Sequence, residues 1–138
     1  MRLWSKDLIP VLPRQQLLGQ WRECCLIAKN IVEKGTPNHL LVNRIMDYPL
    51  HQFSTYAYKV YSEMKNRGYV VDWVKFGKYI TQYPLDHSTD SIPIFEDWHN
   101  DRYFWQCFYN LQEKYDCGGI SEEEWKLIER KAFHYGVR

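Results

Sequence analysis

The chain has 138 residues, a formal net charge of +1 and a hydrophobic content of 45%, which is enough for one globular domain with a real core. No run of about 18 apolar residues occurs, so the sequence excludes a membrane-spanning helix. The N-terminal residues also lack the apolar segment of a secretory signal peptide. We therefore expect a cytoplasmic protein without membrane contact.

Charge is distributed unevenly along the chain. Residues 1–80 contain 12 Lys and Arg against 6 Asp and Glu, a balance of +6, whereas residues 81–138 contain 6 against 11, a balance of −5. The basic half can provide an electrostatic footprint for phosphate groups. Alternatively, the two halves neutralise each other within one monomer.

The cysteines and histidines indicate neither disulfides nor a metal site. Cys24 and Cys25 are adjacent, and Cys107 and Cys117 stand apart, so there is no CxxC pattern and no convincing disulfide framework. The five histidines include no HxxxH pair. We expect free, partly buried thiols, no metal and no cofactor.

The N-terminal part of the chain predicts an arm followed by a helix. Residues 1–12 hold Pro10 and several apolar side chains, which is typical of an extended arm packed onto the body of the protein. Pro13 suits the first turn of a helix, and Gly35 suits a stop after Lys34.

Shorter helices are predicted after this point. The pattern predicts a connection over 36–46, a helix capped by Asp47 from Pro49 to Gly68, a short helix over 72–80, a loop over 81–99, and helices from Asp101 to Tyr115 and from Ser121 to His134. Asn100 can cap the first of the last two helices, and Ser121 with Glu124 fits a capping box for the second. The predicted fold is all-α, a single compact domain over 1–138 of about five helices. Its extended arm, residues 1–12, packs on the first helix, and residues 13–138 form the body.

Two adjacent charges at the centre of the first helix, Arg22 and Glu23, lack an opposite charge three or four positions away. They must find partners on another segment, at the chain terminus or on a ligand. The structural alternative is that they form ordinary ion pairs with other helices, for example with Arg44, Asp47 or Lys59.

A short motif at a characteristic distance from the N-terminus suggests a family. It consists of Met1-Arg2-Leu3, then Gln15-Gln16-Leu17 and Trp21-Arg22-Glu23, with Lys65-Asn66-Arg67-Gly68-Tyr69 further on. By these residues the chain resembles the pyrimidine-dimer DNA glycosylase/endonuclease V family. The similarity is best over the arm and first helix, moderate over the second helix and slight after about Asp72.

The resemblance implies a DNA repair hydrolase and lyase. The N-terminal α-amine is then the nucleophile that forms an imine with deoxyribose, and Glu23 is the acid/base group. Since Arg2 is bulky, we expect Met1 to be retained and its own amine to react. An α-amine with a pKa of about 7.7–8.0 is roughly a tenth neutral at pH 7, far more than an ordinary lysine.

The resemblance also implies that the partner is double-stranded DNA containing damaged bases or abasic sites, bound by a monomer. The implied DNA-binding residues are Arg2, Arg14, Gln16, Arg22, Arg44 and His51. His51 can instead simply belong to the start of the second helix. The alternative function is a non-catalytic helical module that binds nucleic acid or protein through its basic half and its aromatic surface.

Overall fold

The structure of the protein, a computed structural model, describes residues 1–81 and 92–136. Within these ranges the chain forms α-helices and 3-10 helices and no β-strand. The helices are α1 (Arg14–Lys34), α2 (Leu50–Asn66), α3 (Val74–Gly77), α4 (Asp101–Asp116) and α5 (Glu122–Tyr135), with 3-10 helices at Lys6–Val11 and Asn43–Asp47. The predicted all-α fold of about five helices is confirmed.

The N-terminal arm packs on the helical body, as predicted. Leu3, Leu8 and Leu12 are fully or almost fully buried. Only the first residues of the arm are extended, because the Leu8 N–H turns back to the Ser5 carbonyl at 2.9 Å and starts the 3-10 helix Lys6–Val11. This 3-10 helix contacts both α2 and α5.

Helix ends with a specific chemical signal lie where the sequence predicts them. Gly35 ends α1 in the left-handed region, at a φ of 77°, which glycine adopts without a Cβ penalty. The Asn100 side chain accepts the Tyr103 N–H at 3.0 Å at the start of α4. Ser121 and Glu124 form the reciprocal capping box of α5.

The predicted cap of the second helix was wrong. Asp47 ends the 3-10 helix Asn43–Asp47, and Pro49 is the N-cap of α2. The two helices are separated by Tyr48, which is extended (φ −122°, ψ 157°), because a residue before proline is forced out of the helical region. Pro13 likewise occupies the N-cap position of α1 rather than its first turn.

The third helix is shorter than predicted. α3 comprises only Val74–Gly77, and the Asp72 carboxylate accepts the Val74 N–H at 2.9 Å. Turn-like hydrogen bonds continue to Ile80, whose N–H reaches the Phe76 carbonyl at 3.2 Å. Of the loop predicted over 81–99, residues 82–91 lie outside the described part of the chain.

Aromatic side chains fill much of the core, and two groups of them join the helices. Trp21 of α1 packs on Tyr61, Trp73 and Phe76, with ring centroids 5.8, 5.9 and 6.3 Å away. In the second group, rings of α4 stack on rings of α5: Phe104 on Tyr135 and Tyr115 on Trp125. The arm contacts elements of both groups, so it is an integral part of the fold.

The four cysteines are free thiols, as expected; Cys24 and Cys107 are buried, and Cys117 is exposed. None of the helices in the described part of the chain has both the length and the apolar character needed to cross a bilayer.

Candidate active site

The start of the arm, residues 2–6, is held by side chains of the body. Its backbone groups bond to side chains of α1, α2 and α4 and to His99, which lies two residues before α4, over sequence separations of 16 to 102 residues. The side chains involved are Gln20, Glu23, Tyr56, His99, Tyr103 and Cys107. Their combined effect is to fix the direction in which the chain terminus leaves the body.

Gln20 is the centre of this arrangement. Its side chain is only 1% exposed, and its Oε1 accepts the Trp4 N–H at 2.7 Å. Its Nε2 donates to the Arg2 carbonyl at 3.0 Å and to Glu23 Oε2 at 3.3 Å. One amide therefore ties the arm to the carboxylate of Glu23, and its burial demands that these bonds be made.

Two tyrosines complete the fixation of the arm. The Tyr56 hydroxyl lies 2.6 Å from the Trp4 carbonyl and 2.9 Å from Gln20 Oε1, so it can donate its proton to one acceptor at a time. The Tyr103 hydroxyl donates to the Leu3 carbonyl at 2.5 Å. Burial raises the pKa of both phenols well above the usual value, so both remain protonated donors.

His99 and Cys107 hold the next two backbone amides. Lys6 N–H donates to His99 Nδ1 at 3.1 Å, and Ser5 N–H points at Cys107 Sγ at 3.4 Å. Burial, with the neighbouring charge of Lys6, lowers the pKa of His99 to about 3. The neutral ring therefore accepts at Nδ1 and keeps its proton on Nε2.

Glu23 lies beside the returning arm. Burial of this half-buried carboxyl raises its pKa, and the positive charge that opposes this most strongly is the chain's own α-amine. The Arg2 N–H hydrogen bond, His39 and Arg22 also lower the pKa of Glu23, to a smaller extent. The α-amine thus acts on Glu23 through its charge, and the chain terminus stays one of the options left open by the lack of a partner within α1.

Such a carboxyl can act as an acid and as a base. Partial burial increases the fraction that is protonated near neutral pH, which suits a proton donor, while the adjacent cations stabilise the carboxylate that remains after transfer. A neutral amine beside it can act as a nucleophile. The arrangement fits covalent chemistry that requires proton shuttling.

Arg22 and Gly19 flank this carboxylate on the solvent side of α1. Arg22 is exposed, and one of its terminal nitrogens lies 3.8 Å from where a Cβ on Gly19 would be; among residues 1–81 and 92–136 no other atom outside the neighbouring helix backbone comes within 4 Å of that position. The arm therefore leaves the space above Gly19 open. This opening beside the Glu23 carboxylate can admit part of a ligand.

A cavity of about 370 Å³ lies next to the arm. Three arginines, Arg2, Arg44 and Arg102, contribute to its wall. The remaining lining residues are Leu40, Leu41, Trp98, Asn100, Tyr103 and Gln106. The Arg44 guanidinium lies 5.4 Å from the centre of the Trp98 ring. Cations, amides and aromatic faces together suit phosphate and nucleobase groups.

The structure brings some of the predicted site residues together and leaves others apart. The Met1 amine, the Arg2 N–H and Arg22 each lower the pKa of Glu23, and the Arg2 side chain lines the cavity together with Arg44. Arg14 lies about 13 Å along α1 from Glu23, since each helical residue rises about 1.5 Å. Its guanidinium lies over the ring of Tyr69 and its N–H donates to Glu124.

No hydrogen bond among the described residues joins Gln16 or His51 to the Glu23 carboxylate. The Gln16 side-chain oxygen is buried and has no hydrogen-bond partner among the described residues. His51 is exposed in the first turn of α2, and its backbone carbonyl accepts the Thr55 hydroxyl at 2.8 Å. The DNA-binding roles suggested for Gln16 and His51 stay predictions.

Within residues 1–81 and 92–136 no group of three or more His, Cys, Asp and Glu side chains is placed to hold a metal ion. Apart from Glu23, the polar groups that fix the arm were missed at the level of sequence. Gln20 has a signal there, since it shares with Leu17 and Cys24 the helical spacing of buried residues.

Comparison with known families gives one match. The family model for pyrimidine dimer DNA glycosylases matches residues 1–75, just over half of the 138-residue chain. The matched region contains the arm, α1 and α2, and therefore both Met1 and Glu23. Neither a curated protein nor a solved structure matches the chain.

Proposed function

Since the chain belongs to the pyrimidine dimer DNA glycosylase family, a family of DNA repair enzymes, we propose that it removes damaged bases with its N-terminal α-amine and then cleaves the DNA backbone at the abasic site. The observation that carries this proposal is the return of the arm to α1. There the side-chain amide of Gln20 donates both to the Arg2 carbonyl and to Glu23 Oε2, and the charge of the α-amine opposes the rise in the Glu23 pKa.

In the first step the neutral amine attacks C1′ of the damaged nucleotide. The glycosidic bond breaks and the base leaves with the electron pair, taking up a proton. Opening of the sugar ring then gives an imine between the Met1 nitrogen and C1′. Glu23 is the group that donates the proton to the ring oxygen, since its pKa is raised by burial.

In the second step the imine acts as an electron sink for β-elimination. The Glu23 carboxylate accepts a proton from C2′, the C3′–O bond breaks, and the 3′-phosphate leaves with its electron pair. Water then hydrolyses the imine and regenerates the amine. The amine that attacks is the neutral form, because only that form has a free electron pair.

Arginines provide the contacts to DNA in this proposal. Arg22, exposed beside the open space over Gly19, is placed for a phosphate next to the damaged nucleotide. Arg2 and Arg44 line the adjacent cavity and extend this positive surface. Phosphate contacts of this kind fix the position of the enzyme on the duplex.

Borohydride trapping on abasic-site DNA tests the proposal. Borohydride reduces an imine to a stable covalent adduct, which we expect with the native protein. A variant with one residue added before Met1 should give no adduct, and Glu23→Gln should form product by elimination at least about 100-fold more slowly, the usual scale of general acid–base catalysis.

The alternatives give different outcomes. If the native protein binds the DNA but forms no adduct, the chain is a non-catalytic binding module and the proposal is wrong. An adduct that survives extension of the N-terminus would assign the nucleophile to a lysine instead of the α-amine.

A further inference from the structure

Residues 36–43 form a loop between α1 and the second 3-10 helix that is fixed by its own hydrogen bonds. The Asn43 side-chain oxygen accepts the Thr36 hydroxyl at 3.2 Å and the His39 N–H at 3.1 Å. Asn38 adopts a positive φ of 62°, and the Leu41 N–H donates to His39 Nδ1 at 3.3 Å. We call this segment the 36–43 loop.

The 36–43 loop exposes two leucines while its ends are anchored. Leu40 is 86% exposed and Leu41 is 54% exposed, whereas Val42 and the following Ile45 are buried. Large apolar side chains presented together on a fixed loop are typical of an interaction surface. Since the loop is hydrogen-bonded, presenting them to a partner requires little further ordering.

The exposed leucines lie beside the candidate active site. Leu40 and Leu41 line the same cavity as Arg2 and Arg44. In the same loop, the charge of His39 lowers the pKa of the Glu23 carboxyl, which burial raises. The tip of the 36–43 loop is therefore adjacent both to the reacting groups and to the guanidinium groups of the cavity.

The charge around the leucines indicates which partner covers them. The charged side chains among the described residues lining the cavity are arginines: Arg2, Arg44 and Arg102. A protein surface that accepts an exposed leucine is typically apolar and depleted of charge at its centre. A DNA duplex offers instead an apolar base stack between two rows of phosphates, which matches a leucine between guanidinium groups.

We propose that Leu40 is a wedge that inserts into the base stack of duplex DNA next to the damaged nucleotide, while Arg2 and Arg44 hold the neighbouring phosphates. The inference rests on the proposed function and adds to it the residue that opens the duplex. When an apolar side chain inserts between bases, the free energy of unstacking is offset by the contacts that the protein gains with the distorted DNA. Damage to a base lowers the free energy of unstacking.

Fluorescence of 2-aminopurine placed beside an abasic site in a duplex measures the insertion directly. We expect saturating native protein to increase the fluorescence, because the base loses its stacking partner. Leu40→Ala should give a clearly smaller increase. Leu127→Ala, the same change at a 47% exposed position of α5, should behave as native.

The activity test compares duplex with single-stranded DNA carrying the same abasic site. A single strand has no duplex to open, so the ratio of duplex to single-strand trapping should fall about tenfold or more in Leu40→Ala, a loss on the scale of unstacking energies. Leu40→Met should restore most of the ratio, and Leu127→Ala should leave it unchanged.

Equal losses on the two substrates, or no loss on either, would overturn the wedge. So would an unchanged 2-aminopurine signal in Leu40→Ala or the absence of a signal with native protein. If the native protein traps neither DNA, the proposed function fails, and the fluorescence measurement still decides whether Leu40 enters the duplex.

Discussion

Glu23 combines partial burial with neighbouring cations, and its burial has a consequence for stability. Burial raises the pKa of Glu23 above its usual value of 4.5 in the folded protein, against the opposing effect of the α-amine. At pH values between 4.5 and the raised pKa, the Glu23 carboxyl of the folded protein keeps a proton that the unfolded chain has released. The free energy of unfolding must therefore fall as pH rises through this interval.

The variant Glu23→Gln removes this titration. We expect the native protein to lose stability relative to Glu23→Gln as pH rises above about 4.5. Urea denaturation of both proteins across a pH series measures the difference. If the native protein instead loses stability relative to Glu23→Gln as pH is lowered, the surroundings stabilise the carboxylate and the expectation is wrong.

Gly19 offers a second test at the level of single residues. Gly19→Ala should raise the free energy of unfolding by up to about 1 kcal/mol, because alanine is the better helix former, and the added Cβ meets only an Arg22 nitrogen at 3.8 Å. If deoxyribose occupies the open space, the same change should slow trapping on abasic DNA about tenfold or more. A stabilised variant with native activity would exclude Gly19 from the substrate site.

At the scale of elements, the arm depends on one amide of α1. Gln20→Leu removes four hydrogen-bonding contacts and leaves the Trp4 N–H and the Arg2 carbonyl without their partner. We expect a loss of about 2–3 kcal/mol of unfolding free energy, since buried polar groups would be left unsatisfied. Trapping on abasic DNA should also fall, because the α-amine is no longer held at α1.

Gln15→Leu is the matched control on the same helix, since Gln15 is exposed. Chemical denaturation and borohydride trapping of the two variants show whether the effect depends on losing the buried amide of Gln20 or follows from replacing any glutamine of α1 with leucine. Similar effects of Gln15→Leu and Gln20→Leu would contradict the role assigned to Gln20.

The sequence predicts elements well where a residue carries a local signal. Gly35, Asn100 and the Ser121 capping box mark helix ends through bonds made within four residues. The start of α2 was misplaced because Asp47 has the chemistry of a cap, and the extended backbone before Pro49 prevents it from acting as one.

The candidate site is less accessible to sequence analysis. Periodicity identified α1, and the lack of a partner within the helix left the chain terminus as one of three options for Glu23, which the resemblance to the family then favoured. The groups that hold the arm, such as Tyr103 and Cys107, lie about 100 residues from it in sequence. Periodicity indicates that such residues are buried, but it does not indicate which backbone group they face.

At the scale of the whole molecule, both interpretations of the uneven charge have structural support. Lys6 pairs with Glu96 at 3.4 Å, and the Arg14 backbone is bound by Glu124, so the basic and acidic halves meet at these points. The three arginines of the cavity, in contrast, line its wall without an acidic side chain among the other lining residues described. Local neutralisation therefore coexists with a positive surface next to the α-amine.

This surface predicts the salt dependence of DNA binding. Each phosphate contact removed should reduce the slope of log K against log salt by about 0.9. Arg44→Ala should show this reduction, whereas Arg130→Ala, an exposed position of α5, should not. Equal slopes for native protein and Arg44→Ala, from titrations at several salt concentrations, would remove Arg44 from the DNA interface.

The attachment of the arm through its backbone makes its length more important than its composition. Side chains of the body form hydrogen bonds with backbone carbonyls and amides of residues 2–6. Every residue type except proline has both of these backbone groups. The position of the terminal nitrogen is therefore set by the number of residues that precede the backbone groups bonded to Gln20. Exchange of an arm side chain leaves that count intact, whereas one inserted or deleted residue moves the nitrogen by a full residue length.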